Sequence, residues 1–265
     1  MEEESRNFRD CNAWNFLYKS LQNGKIKNGR HLDYGAHDGK LINFLCNSKL
    51  LRSAVGLELS GEALLKQNIL HKNVKLYKIN KRPKIKNEFG LFDSISILGV
   101  IEHVADQNYI LRELHGALRD NGVLVVAVPG KHLFSFLDFG NWKFVFPKLH
   151  RLFFEKKIGK KEYNIKYIDN PDGLIGDIEK EKSWHEHFSR TEISVLLENN
   201  NFEVIEIGGA GFFMRPLRNI RYFLPQKLKK YIDILVKLDE EKFSSAELWV
   251  LARKIKNISH DSISS

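Results

Sequence analysis

The sequence predicts an α/β protein built on a largely parallel, doubly wound sheet, and three observations carry that prediction. Short apolar runs alternate with stretches of helical period from Arg30 to Pro129. A glycine-bearing turn, Tyr34-Gly35-Ala36-His37-Asp38-Gly39, follows the first of those runs. The run VLVVAVP, from Val123 to Pro129, is apolar at almost every position, as a strand is when helices cover both faces of its sheet.

Ahead of the sheet, Trp14, Leu17, Tyr18 and Leu21 stand at helical spacing between Cys11 and Leu21, and Asn23-Gly24 and Asn28-Gly29 follow as turns. RHLDYG, from Arg30 to Gly35, reads as the first strand and Lys40 to Asn47 as the helix after it. SAVGLEL, from Ser53 to Leu59, is a second strand of buried type. A helix is expected over Gly61 to His71, a third strand over Val74 to Ile79 and a fourth over Leu91 to Leu98. Ile110, Leu111, Leu114 and Leu118 share one face of a helix starting at Asn108, and the fifth strand comes next.

Beyond Gly130 the regularity stops. Residues 131–187 are rich in Phe, Trp, Lys and Gly with neither period, which marks a lid or a binding loop. The pattern resumes with a helix capped by Ser189 or Thr191 and running through Leu197, then a strand from Phe202 to Ile207. A basic, apolar stretch over 216–238 is helical in spacing, but Pro225 must break it, and a last strand spans Ala246 to Lys254. The chain thus divides into a helical segment 1–29, a core 30–130, a lid insert 131–187, a segment 188–254 that completes the sheet, and a tail 255–265 expected to fray.

Composition narrows the class. At 265 residues and 43% hydrophobic the chain can bury a substantial core. It holds no run of eighteen apolar residues, so no transmembrane helix is expected. The acidic start MEEESRNFRD is the reverse of a secretory leader. Cys11 and Cys46 form no CxxC, which points to a reducing, cytoplasmic compartment. The net charge of +9 is uneven: basic clusters fall at Lys72–Lys86, Lys143–Lys166 and Arg215–Lys237. Such clusters suit nucleic acid, an anionic membrane surface or an anionic small substrate, and equally a solvated basic face.

The chemistry concentrates where strands end. Glycine in the turn after the first strand lets backbone approach a ligand, with the free N–H groups of the next helix facing the same crevice. Glu58, nineteen residues beyond Gly39 and at the end of the second strand, is placed to accept hydrogen bonds from both hydroxyls of a ribose. The turn reads Asp33-x-Gly35-x-x-x-Gly39, with Asp38 inside it. Two carboxylates there repel a pyrophosphate but suit the ammonium of a methionine moiety, so the electrostatics favour S-adenosylmethionine (SAM) over a nicotinamide dinucleotide.

The chain resembles the class I SAM-dependent methyltransferases, in particular the ubiquinone-biosynthesis branch. Besides the first turn, Phe92-Asp93 followed by Ile101-Glu102-His103-Val104 is similar to that family's fourth-strand segment. Leu118-Arg119-Asp120-Asn121-Gly122-Val123-Leu124 is similar to its L-x-P-G-G-x-L turn, with Asn121 in place of proline. His187-Phe188-Ser189 with Glu192, Leu196, Leu197 and Phe202 is similar to its later H-x-F-S/T segment. The resemblance covers residues 30–130 and 185–207, and His37 departs from it where most members carry a second glycine. It implies a Rossmann-like sheet of seven strands with the last antiparallel, and SAM as cofactor with S-adenosylhomocysteine as product. It places Asp33, Gly35 and Gly39 at the methionine and ribose end, Glu58 on the ribose, Asn80 near the adenine amine, and Leu98 and Gly99 beside the methionine portion.

Candidate proton acceptors are His185, His187, His132 and His103. Glu102-His103 reads either as a catalytic pair or as a cap for a helix. His185 and His187 alternate onto one side of an extended segment, but no third ligand accompanies them, so no metal is assigned. Phe134, Phe136, Phe139, Trp142, Phe144 and Phe146 are the core of a cap over an apolar acceptor pocket, and the basic residues around them suit an anionic or lipid-linked acceptor or contact with a membrane surface. The favoured expectation is O-methylation of a small acceptor such as a sugar, lipid or quinone-like intermediate. Two alternatives stand beside it: an RNA methyltransferase or RNA-binding module, disfavoured because no RNA-binding module or N/D-P-P-Y/F motif is present, and a non-catalytic SAM or nucleotide binder.

Overall fold

The computed structural model describes residues 12–59, 61, 64, 71–80, 82–138, 141–168 and 185–255. Most of the helix expected over 61–71, together with Cys11, Phe139, Trp184 and nearly all of the tail, lies outside them.

Seven strands form one sheet in the order β3-β2-β1-β4-β5-β7-β6. They are β1 (Arg30–Tyr34), β2 (Ser53–Glu58), β3 (Val74–Lys78), β4 (Phe92–Leu98), β5 (Leu118–Pro129), β6 (Phe202–Ala210) and β7 (Glu247–Lys254). β1 to β5 pair in parallel, while β7 runs antiparallel to both β5 and β6. The order reverses between β1 and β4, so their carboxyl ends open a crevice, the place where such sheets bind ligands.

Both faces of the sheet are buried, and β5 shows it residue by residue. Val123 and Val125 pack with Leu17, Ile42, Leu45 and Leu251 on one side, whereas Leu124, Val126 and Val128 pack with Leu111, Leu114, Ile193 and Leu197 on the other. The first layer is built by α1 (Asn12–Gln22) and α2 (Lys40–Asn47), the second by α4 (Gln107–Ala117) and α8 (Arg190–Glu198); a short α3 (Ile85–Phe89) precedes β4. Each such aliphatic side chain, fully buried, contributes about 1.5–3 kcal/mol relative to exposure. α8 starts as its sequence predicts: Ser189 Oγ accepts from the Glu192 N–H at 3.1 Å and Glu192 Oε2 accepts from the Ser189 N–H at 2.7 Å, a reciprocal capping box.

Two expectations need correction. β5 begins at Leu118 rather than Val123, because residues 118–122 continue along β4 through an irregular register between Phe92 and Ser94, with Asn121 at φ 61°. The lid is helical where no period was visible. A 3₁₀ turn at Ser135–Leu137 leads into α5 (Trp142–Val145), α6 (Pro147–Ile158) and α7 (Lys160–Tyr167). Apolar residues lie on the outward side of these helices as well as the packed side, which erases the periodicity. Thus Tyr163 and Tyr167 are buried against His150 and Phe154, while Leu149 and Leu152 of the same layer are exposed. Beyond β6, Pro225 splits the basic stretch as expected, giving α9 (Met214–Phe223) and α10 (Gln226–Lys242).

Candidate active site

The turn after β1 is built for close approach. Gly35 adopts φ 85° and donates its N–H to Leu57 O at 2.8 Å, and a Cβ there would sit 2.3 Å from Val100 Cγ2. Gly39, at φ 75°, caps α2. His37 keeps the left-handed geometry, φ 50°, without glycine's freedom, and its N–H donates to Glu58 Oε2 at 2.8 Å. Glu58 therefore ties the end of β2 to the turn after β1. Asn80 is exposed just beyond β3, and Leu98 and Gly99 end β4.

Asp33 is almost wholly buried, and beneath it runs a polar line. His31 Nδ1 meets Ser94 Oγ at 2.7 Å, His31 Nε2 meets Ser96 Oγ at 2.8 Å, and Ser96 Oγ donates to Asp33 Oδ1 at 2.6 Å. The cause is register: His31 lies opposite Ser94 and Asp33 opposite Ser96 on adjacent strands, so all four side chains share one face. Burial holds His31 down at about 3, hence uncharged, and raises Asp33 to about 6, the latter despite the Ser96 hydrogen bond and with help from the Glu58 charge. Among the described residues no cation lies within ion-pair distance of Asp33. A buried carboxyl that lacks a protein cation, beside a second acid at the next strand's end, fits a cationic cofactor such as SAM and opposes an anionic one.

Next to this turn lies a cavity of about 420 Å³, bounded by the ends of β4 and β5, the start of β7, Trp14 of α1 and the lid. Leu98 and Gly99 belong to its wall, so it adjoins the place assigned to the methionine portion. Glu102, Asp138 and His185 line it, as do Arg215, Arg218 and Asn219 of α9. The site therefore draws on the 3₁₀ turn Ile101–His103, the lid, the segment before α8 and a helix near the end of the chain.

Three of the four candidate histidines converge here. Asp138 Oδ2 takes His185 Nδ1 at 2.5 Å and His187 Nε2 at 2.8 Å. On the other side of His185, Glu102 Oε1 lies 3.8 Å from Nε2, and the His103 ring stacks on it at 4.7 Å. Asn141, fully buried, holds the segment in place by accepting from the His185 N–H and donating to its carbonyl, both at 2.8 Å. Burial alone would lower His185, but its hydrogen bonds to Asp138 and Glu102 outweigh that and lift it to about 9. Burial prevails at His187, whose pKa falls below the ordinary value. At neutral pH, then, His185 is an imidazolium between two carboxylates and His187 is neutral. Glu102 is buried, and its Oε2 has no hydrogen-bond partner among the described residues.

His132 stands apart: its ring nitrogens face the carbonyls of Gly130 and Phe212, both at 3.1 Å, and it packs on Phe212. Of the aromatic insert, Trp142 is buried whereas Phe136, Phe144 and Phe146 are exposed. The third ligand that the sequence does not supply for His185 and His187 is present in space: Asp138 lies beside both, and Glu102 beside His103 and His185. Hydrogen bonds account for the Asp138 contacts. Asp138 and Asn141 carry no sequence signal, being an Asp and an Asn in an irregular segment. The Ser94–Ser96 line does carry one, since polar residues alternating in a buried strand opposite His31 and Asp33 need partners.

Comparison with known proteins agrees with this geometry. A family model described as methyltransferase domain matches residues 13–207. The ubiquinone biosynthesis O-methyltransferase of Pelagibacter ubique (strain HTCC1062) is 30% identical over 115 residues, 42% of this chain and 47% of that protein, so the match spans about half the relative's length. The methyltransferase complexed with the Haloferax volcanii Trm112 activator superposes with a TM-score of 0.57 at 12% identity, covering 95% of this chain and 93% of that one. A SAM-dependent methyltransferase from Clostridium acetobutylicum ATCC 824 gives 0.50 at 10% identity, covering 92% and 91%. These two likenesses concern the fold. The family match spans the cofactor turn, the lid and the histidine segment together, and the chain accordingly belongs to this methyltransferase family and is a SAM-dependent enzyme.

Proposed function

We propose that the chain methylates a hydroxyl group of a small acceptor seated in the 420 Å³ cavity, with Glu102 as proton acceptor. The observation that carries this is the unpartnered Glu102 Oε2, buried in the cavity wall beside the His185 imidazolium. Asp33, Gly35, Gly39 and Glu58 would hold SAM, which would supply an electrophilic methyl group, with S-adenosylhomocysteine as the product. A hydroxyl nucleophile must lose a proton as it reacts. His185 already carries one at neutral pH, so it is not the base; the neighbouring carboxylate takes that part. His185 and Asp138 instead fix the charge pattern and orient the acceptor. Positioning of the acceptor in the cavity contributes most of the rate. The O-methyltransferase activity of the partial relative supports a hydroxyl acceptor.

The test is a screen of hydroxylated sugars, lipids and phenols with methyl-labelled SAM, followed by the Glu102→Gln variant on the best acceptor. Glu102→Gln lowers kcat by about a hundredfold or more while SAM affinity is unchanged. Methylation only at nitrogen or carbon, or a variant of unchanged kcat, overturns the proposal.

A further inference from the structure

One layer of the fold carries a positive excess as large as the net charge of the whole chain. Helices α6, α7, α9 and α10 hold 15 of the 42 basic residues and 6 of the 33 acidic ones, so their excess equals the whole net charge of +9. The rest of the chain, with 27 of each sign, is neutral. These helices touch one another. Phe153 of α6 lies 4.9 Å from Phe223 of α9, Lys157 sits over Tyr222, and Arg221 of α9 pairs with Asp233 of α10.

The same layer exposes bulky apolar side chains. On α10, Leu228, Tyr231, Leu235 and Leu238 follow one another at intervals of three and four, which makes a single stripe, and each is between 45% and 56% exposed. Lys227, Lys229 and Lys230 flank its start with no acidic residue before Asp233. Leu152 of α6, Ile165 of α7, and Ile220 and Phe223 of α9 are exposed at 69%, 51%, 50% and 55%. A helix of a free-standing globule turns its apolar stripe inward; here α10 buries only Asp239.

We infer that this layer docks on an anionic phospholipid surface, the apolar side chains entering the headgroup boundary and the lysines meeting phosphate. Charge and apolarity decide among the partners. A nucleic acid satisfies the lysines but leaves the leucine stripe in water. A second copy covers the stripe but sets one +9 layer against another. Of these three, the lipid surface answers both. The placement also serves the site, because α9 lines the cavity through Arg215, Arg218 and Asn219 while exposing Ile220 and Phe223. A membrane-borne acceptor then has a short route inward. Among the described residues no helix is long and apolar enough to cross a bilayer, so the contact is peripheral.

The experiment is co-sedimentation of the full chain with vesicles of phosphatidylcholine alone and of phosphatidylcholine mixed with phosphatidylglycerol. Binding is expected to the mixed vesicles only. Changing Lys227, Lys229 and Lys230 together to Ala should weaken partition by about a hundredfold, and Leu228→Gln with Leu235→Gln should weaken it independently. Lys227, Leu228, Lys230 and Leu235 are exposed, Lys229 is half-buried and none lines the cavity, so SAM binding and the unfolding temperature of each variant should match the parent and separate lost docking from lost folding. Failure to bind mixed vesicles overturns the inference. In that case, retention of single-stranded RNA unaffected by the leucine changes assigns the layer to nucleic acid, and a dimer dissociated by them assigns it to self-association.

Discussion

The ionisation of Asp33 makes cofactor affinity depend on pH in a calculable way. Its carboxyl is raised to about 6 by burial, the Ser96 hydrogen bond opposing and the Glu58 charge reinforcing the shift. If the ionised carboxylate attracts the ammonium of the methionine moiety, only that form binds SAM well. At about pH 7.5 the group is almost fully ionised; at about pH 5 roughly one molecule in eleven is, so Kd rises about tenfold, or ~1.4 kcal/mol. His31 does not confuse the result, since at about 3 it stays neutral across the range. Nor does unfolding through Asp33: between the unfolded value of 3.8 and about 6 the folded state binds more protons, so this group favours the fold as pH drops. Calorimetric titration with SAM and S-adenosylhomocysteine should show the tenfold loss. The nucleoside 5′-methylthioadenosine, which lacks the ammonium, should show none, and Asp33→Asn should make SAM binding flat with pH. An equal loss for the nucleoside, or a pH-independent parent enzyme, refutes the assignment of Asp33 to the methionine end.

Three further outcomes follow from the same geometry. His185 should titrate near 9 by imidazole NMR, while His187 stays neutral at neutral pH; its raised value means that its contribution to stability is full below 6.5 and is lost as pH rises toward 9, and Asp138→Asn should lower the midpoint. At His37, φ 50°, replacement by Val should cost about 1–2 kcal/mol in urea unfolding whereas Gly should change stability by less than about 0.5 kcal/mol, because relief of strain offsets the added chain entropy. Ser189→Ala removes half of the capping box and should lower stability by about 1 kcal/mol, read as a drop in Tm with the SAM affinity intact.

How far the sequence reaches depends on how local the cause is. Strands β1 to β4 and helix α2 are legible to within a residue because each carries its own pattern, and the turn from Asp33 to Gly39 needs only its glycines and a strand before it. The antiparallel course of the last strand came from family resemblance, but its place between β5 and β6 is not legible, since nothing in ELWVLARK states which neighbours it takes. The start of β5 misleads because Asn121-Gly122 looks like the end of a turn, yet the backbone runs through it by a bulge. The lid defeats periodicity altogether: with Leu149 and Leu152 facing out and His150 facing in, no single face is apolar.

The candidate site divides along the same line. Its cofactor half comes from consecutive residues at strand ends, and a carboxylate there signals its own role. Its acceptor half joins residues far apart in the chain, such as Glu102 with His185, and Asp138 with His185 at a separation of 47 positions. Only folding decides which histidine of HEH keeps its proton. The motif offers His185 and His187 as equivalent bases, yet one lies between two carboxylates whereas the other has Asp138 alone to offset its burial, with Arg215 and His185 opposing its protonation. On the proposed mechanism this difference moves the base from a histidine to Glu102, which the sequence presents either as part of a catalytic pair or as a helix cap. A catalytic role can therefore be displaced by one neighbour without any change in the motif that advertises it.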